Sequence, residues 1–256
     1  MSRITEAFRG KKALIPFITG GDPDVETTER VIVALSEAGA DLIEIGIPFS
    51  DPVAEGPVIQ AADERALAGG CTVDALFDMA ARVRGRIAVP LLFMTYYNPV
   101  FAYGTERFAE RCQNSGIAGL IVPDLPFEEK DELTAVCRRR GLELISLVAP
   151  TSGERIQTIA REAEGFLYCV SSLGVTGVRS ELGNAAAQMV KAAREVTRIP
   201  CAVGFGISTP AQARGMADIA DGVIVGSALV RIIAEHGRDC VEPVRRFLSE
   251  MKQAIG

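Results

Sequence analysis

The 256-residue sequence contains one histidine, His236. That scarcity excludes a histidine-ligated metal cluster, and the position of His236 late in the chain, read as outer surface, speaks against a Ser–His or Cys–His nucleophile pair. Lysine is also scarce: Lys11, Lys12, Lys130, Lys191 and Lys252 are all of them, and none follows an apolar run where a strand would end. Schiff-base chemistry is therefore not expected. The six cysteines, Cys71, Cys112, Cys137, Cys169, Cys201 and Cys240, are too widely spaced for a metal or redox motif. They read as small apolar or surface residues of a reduced protein. No apolar stretch is long enough to span a bilayer, and Met1 to Phe8 carry no secretory signal pattern, so a cytoplasmic location is expected. The net charge is −6 with both signs interspersed, which argues against a general binder of nucleic acid or anionic membranes. The basic run Arg138-Arg139-Arg140 precedes Gly141 and reads as a helix end, where cations complement the dipole.

What the chain does have is alternation. Hydrophobic residues make up 48% of it, and eight short apolar runs recur: Ala13–Thr19, Leu42–Gly46, Pro90–Met94, Gly119–Val122, Glu143–Val148, Phe166–Val170, Ala202–Gly204 and Gly222–Val225. Amphipathic segments lie between them at Val25–Glu37, Val73–Val83, Glu106–Gln113, Glu129–Arg138, Ser152–Glu162, Ala186–Val196 and Pro210–Ala217, and Val241–Ala254 closes the series. Continuous apolar strands followed by helices imply a parallel sheet buried on both faces. Eight units in this length predict an α/β fold, a single (β/α)₈ barrel domain over 1–256. An extra N-terminal helix and a short helix after the eighth strand are expected with it. The rival, a doubly wound open sheet, usually carries a glycine-rich dinucleotide turn after its first strand. Here that turn reads Thr19-Gly20-Gly21-Asp22-Pro23.

In such a barrel the chemistry sits at the C-terminal ends of the strands. Three glycine-rich turns follow late strands: Leu173-Gly174-Val175-Thr176-Gly177, Gly204-Phe205-Gly206-Ile207-Ser208 and Gly226-Ser227-Ala228-Leu229-Val230. They could be ordinary strand-to-helix turns. Their adjacency, with Ser227 at an expected helix start, points to a phosphate held by backbone N–H groups and a helix dipole. The second strand ends Ile43-Glu44-Ile45-Gly46. A glutamate among isoleucines is either part of a buried network or a catalytic carboxylate, and desolvation would raise its pKa toward neutrality. Glu55 follows on a loop over the barrel mouth, where it could equally be a solvated acid. Asp22 and Asp124 fall after the first and fourth strands, Asp124 also being placed to cap the next helix. Elimination leaves carboxylate acid–base chemistry on a phosphate ester.

Five motifs together resemble the alpha subunit family of tryptophan synthase. They are Pro16-Phe17-Ile18-Thr19-Gly20-Gly21-Asp22-Pro23, Glu44-Ile45-Gly46-Ile47-Pro48-Phe49-Ser50-Asp51-Pro52, Gly174-Val175-Thr176-Gly177, Gly204-Phe205-Gly206-Ile207-Ser208 and Gly226-Ser227-Ala228. The resemblance runs in order over nearly the whole chain. It implies retro-aldol cleavage of indole-3-glycerol phosphate to indole and glyceraldehyde 3-phosphate, with no cofactor in this chain. It also implies a PLP-dependent beta subunit as partner, in an alpha2beta2 assembly. The resemblance makes Glu44 and Glu55 the catalytic carboxylates and places phosphate at Gly177, Gly206, Gly226 and Ser227. Phe17, Ile121 and Tyr168 would line the indole pocket, and Asp51 would meet Thr176 as a lid closes. The chain departs from the family where aspartate is usual, at Glu55, and in Ser171-Ser172-Leu173, where some members carry arginine.

Three other readings compete. A stand-alone indole-glycerol-phosphate lyase would use the same residues and release indole freely. A phosphosugar isomerase would want a His or Lys electrophile beside its glutamate. A non-catalytic barrel that binds phosphate metabolites would have no need of Glu44 and Glu55.

Overall fold

The computed structural model describes residues 2–170, 179–204 and 206–256, with the backbone alone for 179–183. The eight apolar runs form eight parallel strands: β1 (Ala13–Thr19), β2 (Ile43–Gly46), β3 (Leu91–Met94), β4 (Ile117–Ile121), β5 (Glu143–Val148), β6 (Leu167–Val170), β7 (Cys201–Gly204) and β8 (Gly222–Val225). Each pairs with the next, and β8 closes on β1 through Leu14 opposite Val223 and Pro16 opposite Val225. The fold is therefore a closed (β/α)₈ barrel, as the alternation predicts.

Helices cover the outside. The first six are α1 (Arg3–Glu6), α2 (Val25–Glu37), α3 (Pro57–Ala68), α4 (Val73–Val83), α5 (Tyr97–Tyr103) and α6 (Thr105–Ser115). The rest are α7 (Asp131–Arg139), α8 (Arg155–Glu162), α9 (Arg179–Arg194), α10 (Pro210–Ile219), α11 (Ser227–His236) and α12 (Val241–Ile255). Their starts follow capping chemistry. Asp24 accepts from Thr27 N at 2.7 Å to begin α2, Thr72 accepts from Ala75 N to begin α4, and Thr209 with Gln212 forms a capping box on α10. The basic run ends α7 as expected, with Arg138, Arg139 and Arg140 paired to Glu164, Glu106 and Glu110.

Two helices go beyond the sequence expectations. The short α5 follows β3, and α3 lies outside the amphipathic segments named above. Pro57 stands in the first turn of α3, where its missing N–H costs nothing. The buried side of α3 is rich in alanine, so its two faces differ little in hydrophobicity and its helical period is weak in the sequence. β4 also starts two residues early, at Ile117 rather than Gly119.

The strands bury both faces. Outward side chains such as Ile18, Ile43, Phe93 and Val223 pack under the helices. Inward ones, among them Ile15, Leu42, Leu92, Ile121, Ile145, Tyr168, Ala202 and Ile224, fill the barrel. The lower end is plugged by the N-terminal segment. Ile4 and Phe8 belong to the inner cluster, and Phe8 stacks on Phe166 with centroids 5.5 Å apart.

A polar tie holds that lower end. Asp41 is 7% exposed and accepts from Leu14 N at 2.8 Å and Lys252 Nζ at 2.6 Å, with Lys11 Nζ at 2.5 Å on its other oxygen. It joins β1, the start of β2 and α12. Removing it strands a buried N–H and two ammonium groups. We expect Asp41→Ala to lower the melting temperature by roughly 5–10 °C without loss of the fold. A thermal melt within about 2 °C of wild type would refute the tie.

Candidate active site

The upper rim collects most of the expected residues. Glu44 is the second residue of β2 and lies opposite Phe17 of β1 and Leu92 of β3. Alternation along the strand puts it on the inner face with Leu42, so the charge-bearing group enters an apolar barrel. It is fully buried, and neither carboxyl oxygen receives a donor. Burial alone pushes its pKa up to about 8. The neutral acid is then the resident form near pH 7, with a proton to give and no protein donor competing for its oxygens.

Phe17 and Tyr168 flank this group. The Phe17 ring lies so close over Gly46 that an added Cβ there would sit 2.7 Å from its tip. Tyr168 lies over Gly204 in the same way, with its hydroxyl 2.7 Å from the position of an added Cβ. These two glycines at strand ends make room for two aromatic rings at the mouth. Burial, and then the Glu44 charge, push the Tyr168 phenol well above its ordinary value, which places the two groups near one another. Ile121 is fully buried at the end of β4. Val58, Ile59 and Ala62 of α3, Met94 of β3 and Val230 of α11 gather around Phe17. Glu44 thus stands in apolar and aromatic surroundings.

The anion cradle lies across the mouth. β7 and β8 are neighbours, so their following turns are side by side. Gly206 has φ +73°, a backbone that a side chain would strain, and it is exposed. Gly226 caps α11, which starts at the exposed Ser227 and runs ten residues. No side chain caps that helix, so its first N–H groups stay open to an anion. Gly177 and Thr176 lie outside the described residues. Asp51 is exposed and accepts from its neighbour Ser50 at 2.5 Å.

Glu55 keeps different company. It stands just before α3, beside Asp63 and the Tyr96 hydroxyl, and burial raises its pKa while those two groups pull it back. Burial is the only cause acting on Glu44, so the two glutamates do not strongly feel each other. The loop that carries Glu55 is braced: Ala54 N donates to the Tyr96 hydroxyl at 3.0 Å, Phe49 stacks on Tyr96 at 5.5 Å, and Gln60 donates to the Glu55 carbonyl at 2.9 Å.

The other two rim acids are structural. Asp22 holds Arg65 of α3 through both oxygens, at 2.9 and 2.7 Å. Asp124 accepts from Tyr97 N at 2.9 Å and so caps α5, rather than the helix that follows it. Sequence reasoning missed Asp63 and Tyr96. The signal for Asp63 was available: it interrupts the helical stripe Ile59, Ala62, Ala66 with an acid. His236 is exposed at the far end of α11, and among the described residues no group of three His, Cys, Asp or Glu is placed to hold a metal.

Comparison with known proteins agrees over the full length. The family model for the tryptophan synthase alpha chain matches residues 5–255. The tryptophan synthase alpha chain of Lacticaseibacillus casei is 46% identical over 255 residues, covering 100% of this chain and 96% of that one. The alpha chain of Citrifermentans bemidjiense is 48% identical, with 100% and 98% covered. The solved alpha subunit from Legionella pneumophila superposes with a TM-score of 0.91 at 41% identity, covering 100% and 98%. A chain of the tryptophan synthase complex of Pyrococcus furiosus superposes at 0.86 with 36% identity, covering 95% and 98%.

The raised Glu44 pKa has a consequence for stability. Between pH 4.5 and about 8 the unfolded chain loses a proton that the folded chain keeps. Stability from this group is therefore present at low pH and lost as pH rises through that window. Glu44→Gln removes this slope. The variant should gain on wild type by on the order of a few kcal/mol across the window. Parallel unfolding curves for the two proteins at all pH values would contradict the buried neutral acid.

Proposed function

The chain belongs to the tryptophan synthase alpha chain family, and on that premise we propose how its own residues carry the family's reaction. The enzyme is a lyase of L-tryptophan biosynthesis that cleaves indole-3-glycerol phosphate to indole and glyceraldehyde 3-phosphate. The observation that carries the residue assignment is Glu44: a buried carboxyl on the inner face of β2 with no donor to either oxygen.

Cleavage needs two proton movements. A proton must reach indole C3, which breaks the ring's aromaticity and prepares indole to leave. The hydroxyl on the adjacent side-chain carbon must then lose its proton as the carbon–carbon bond breaks and the aldehyde forms. Glu44 begins as the acid, gives its proton to C3, and recovers one from the hydroxyl. The carboxyl ends as it started, and the electron pair of the broken bond restores the indole ring. A general acid–base step of this kind contributes ~10²–10⁴-fold.

Phe17, Ile121 and Tyr168 hold the ring, and Glu55 accepts the ring N–H and balances the positive charge that develops there. The phosphate lies at Gly206, Gly226 and Ser227 against the start of α11, with Gly177 completing the cradle. Asp51 meets Thr176 on lid closure, which would exclude water. Because the chemistry is two proton transfers on a substrate with its own leaving group, the chain needs no cofactor. PLP belongs to the beta partner.

A beta subunit, in an alpha2beta2 assembly, is the partner. Val53 on the loop after β2 and Phe101 on α5 after β3 are 80% and 68% exposed, and these loops follow adjacent strands at the mouth. Large apolar side chains held out beside an active site suit a protein contact. We read 1–256 as one barrel domain. We place it in the cytoplasm, where six free thiols persist, and no helix among the described residues is long and apolar enough to cross a membrane.

Indole release from indole-3-glycerol phosphate, with and without a beta subunit, tests the assignment. Glu44→Gln should slow cleavage by roughly 10²–10⁴-fold with substrate affinity retained. Full activity in that variant would remove Glu44 from the chemistry, and no indole release by the wild-type protein would leave only a phosphate-binding barrel. Glu55→Gln should slow single-turnover cleavage by roughly 10–100-fold, the worth of a hydrogen bond to a charged group. Thr176→Val with normal activity in the assembled enzyme would remove the lid contact.

A further inference from the structure

Helix α3 carries an acid on its buried side. Asp63 is 3% exposed and sits one residue after Ala62, which is fully buried against Phe17 and Val230. A carboxyl in that place requires a partner. Among the described residues no lysine or arginine pairs with it: Arg65, two positions on, is committed to Asp22 through two hydrogen bonds. The partner is Glu55, which stands just before the same helix, also buries a carboxyl oxygen without a donor, and acts on Asp63 through its charge.

Oε2 of Glu55 and Oδ2 of Asp63 are both shut away from solvent, and neither receives a donor from any other group. Two ionised carboxylates cannot satisfy one another, because both only accept. One proton between them satisfies both and removes the repulsion. Burial first, then the hydrogen bond and charge of Glu55, push Asp63 up to about 8; Asp22 adds to this, and the Phe49 N–H opposes it. For Glu55 the hydrogen bonds to Asp63 and Tyr96 work in the other direction and favour the charge. Asp63 is the more deeply buried of the two, whereas Glu55 is only partly buried, so the shared proton is assigned to Asp63 and the charge to Glu55.

We propose that Asp63 is a positioning residue: as a neutral acid it donates its proton to Glu55, fixing one oxygen of that carboxylate so that the other is aimed at the indole N–H. This rests on the reading of Glu55 as the N–H acceptor. The physical need is plain. Glutamate has three side-chain torsions, and an unanchored carboxylate on a loop would sample many of them at an entropic cost to each encounter. Asp63 anchors it from a helix, while Tyr96 holds the adjacent backbone at Ala54.

The test is single-turnover cleavage of indole-3-glycerol phosphate by the full chain with its beta subunit. Asp63→Leu, which has similar bulk and no donor, should lower the rate by roughly 10–100-fold, with little change in substrate affinity. Asp63→Asn, which keeps the shape and a donor, should restore most of that loss. Wild type should slow as pH rises through about 8, where Asp63 ionises. Tyr96 stays neutral there, since burial pushes it up to about 12, and Arg65 stays charged beside Asp22. Asp63→Asn should lose that part of the alkaline decline, leaving only what Glu44 contributes. In a Glu55→Gln background, Asp63→Leu should change the rate by less than about twofold.

The inference is overturned if Asp63→Asn is as slow as Asp63→Leu, or if Asp63→Leu costs as much in the Glu55→Gln background as alone. It is also overturned if Glu55→Gln is slow while a folded Asp63→Leu runs at the wild-type rate; the Glu55 reading then survives. If Glu55→Gln itself cleaves normally, the N–H reading falls first. Should Asp63→Leu fail to fold, the pH profile of Asp63→Asn decides, and an unchanged alkaline decline counts against the proposal.

Discussion

Closure of a parallel barrel buries every strand on both faces, and that constraint governs the rest of this molecule. A polar side chain on the inner face has no route to water, so it must find a partner, stay neutral or wait for a ligand. Most inner positions avoid the problem with Ile15, Leu42, Leu92 and Ile145. Glu44 does not. It stays neutral, with its pKa lifted to about 8, and its two oxygens are left for whatever enters the mouth. The cost in stability and the capacity for proton transfer are the same fact seen from two sides.

The rim handles its other carboxyl groups differently. Asp22 is satisfied by Arg65, Asp124 by a helix start, and Glu55 by a neighbouring acid that can lend it a proton. Three environments within one rim thus sort carboxyls into neutral acid, structural anion and anchored anion. The sorting follows from what each touches rather than from residue type. The longer Glu55 side chain fits this picture, because the anchor that restrains it comes from a helix rather than from the loop on which it rides.

The two ends of the barrel divide stability from chemistry. The lower end is plugged by Ile4 and Phe8 and tied by Asp41, with Lys11 and Lys252 supplying charge. The upper end holds glycines that admit rings and leave helix N–H groups uncapped. In a barrel of this kind the strand C-terminal rim is where function sits and the opposite end is where stability sits.

Much of this was legible in the linear sequence. Eight apolar runs separated by helical patterns dictate a buried parallel sheet, and the helices Val25–Glu37 and Val73–Val83 begin where capping residues place them. Glu44 stands out because an acid among isoleucines has no surface to go to, and the glycine turns stand out because they recur on adjacent strands. Helix α3 did not stand out, since its alanine-rich buried side gives little contrast between faces. The partners of each acid were invisible for a different reason. Asp22 meets Arg65 and Asp124 meets the start of α5 only because barrel closure brings loops from different strands onto one rim, while Glu55 meets Asp63 because its own loop turns into α3. The sequence by itself determined the architecture and which acid would be buried, since periodicity and hydrophobicity are local. Only the tertiary structure decided which carboxyl carries a proton and which a charge, because that depends on desolvation and on neighbours distant along the chain.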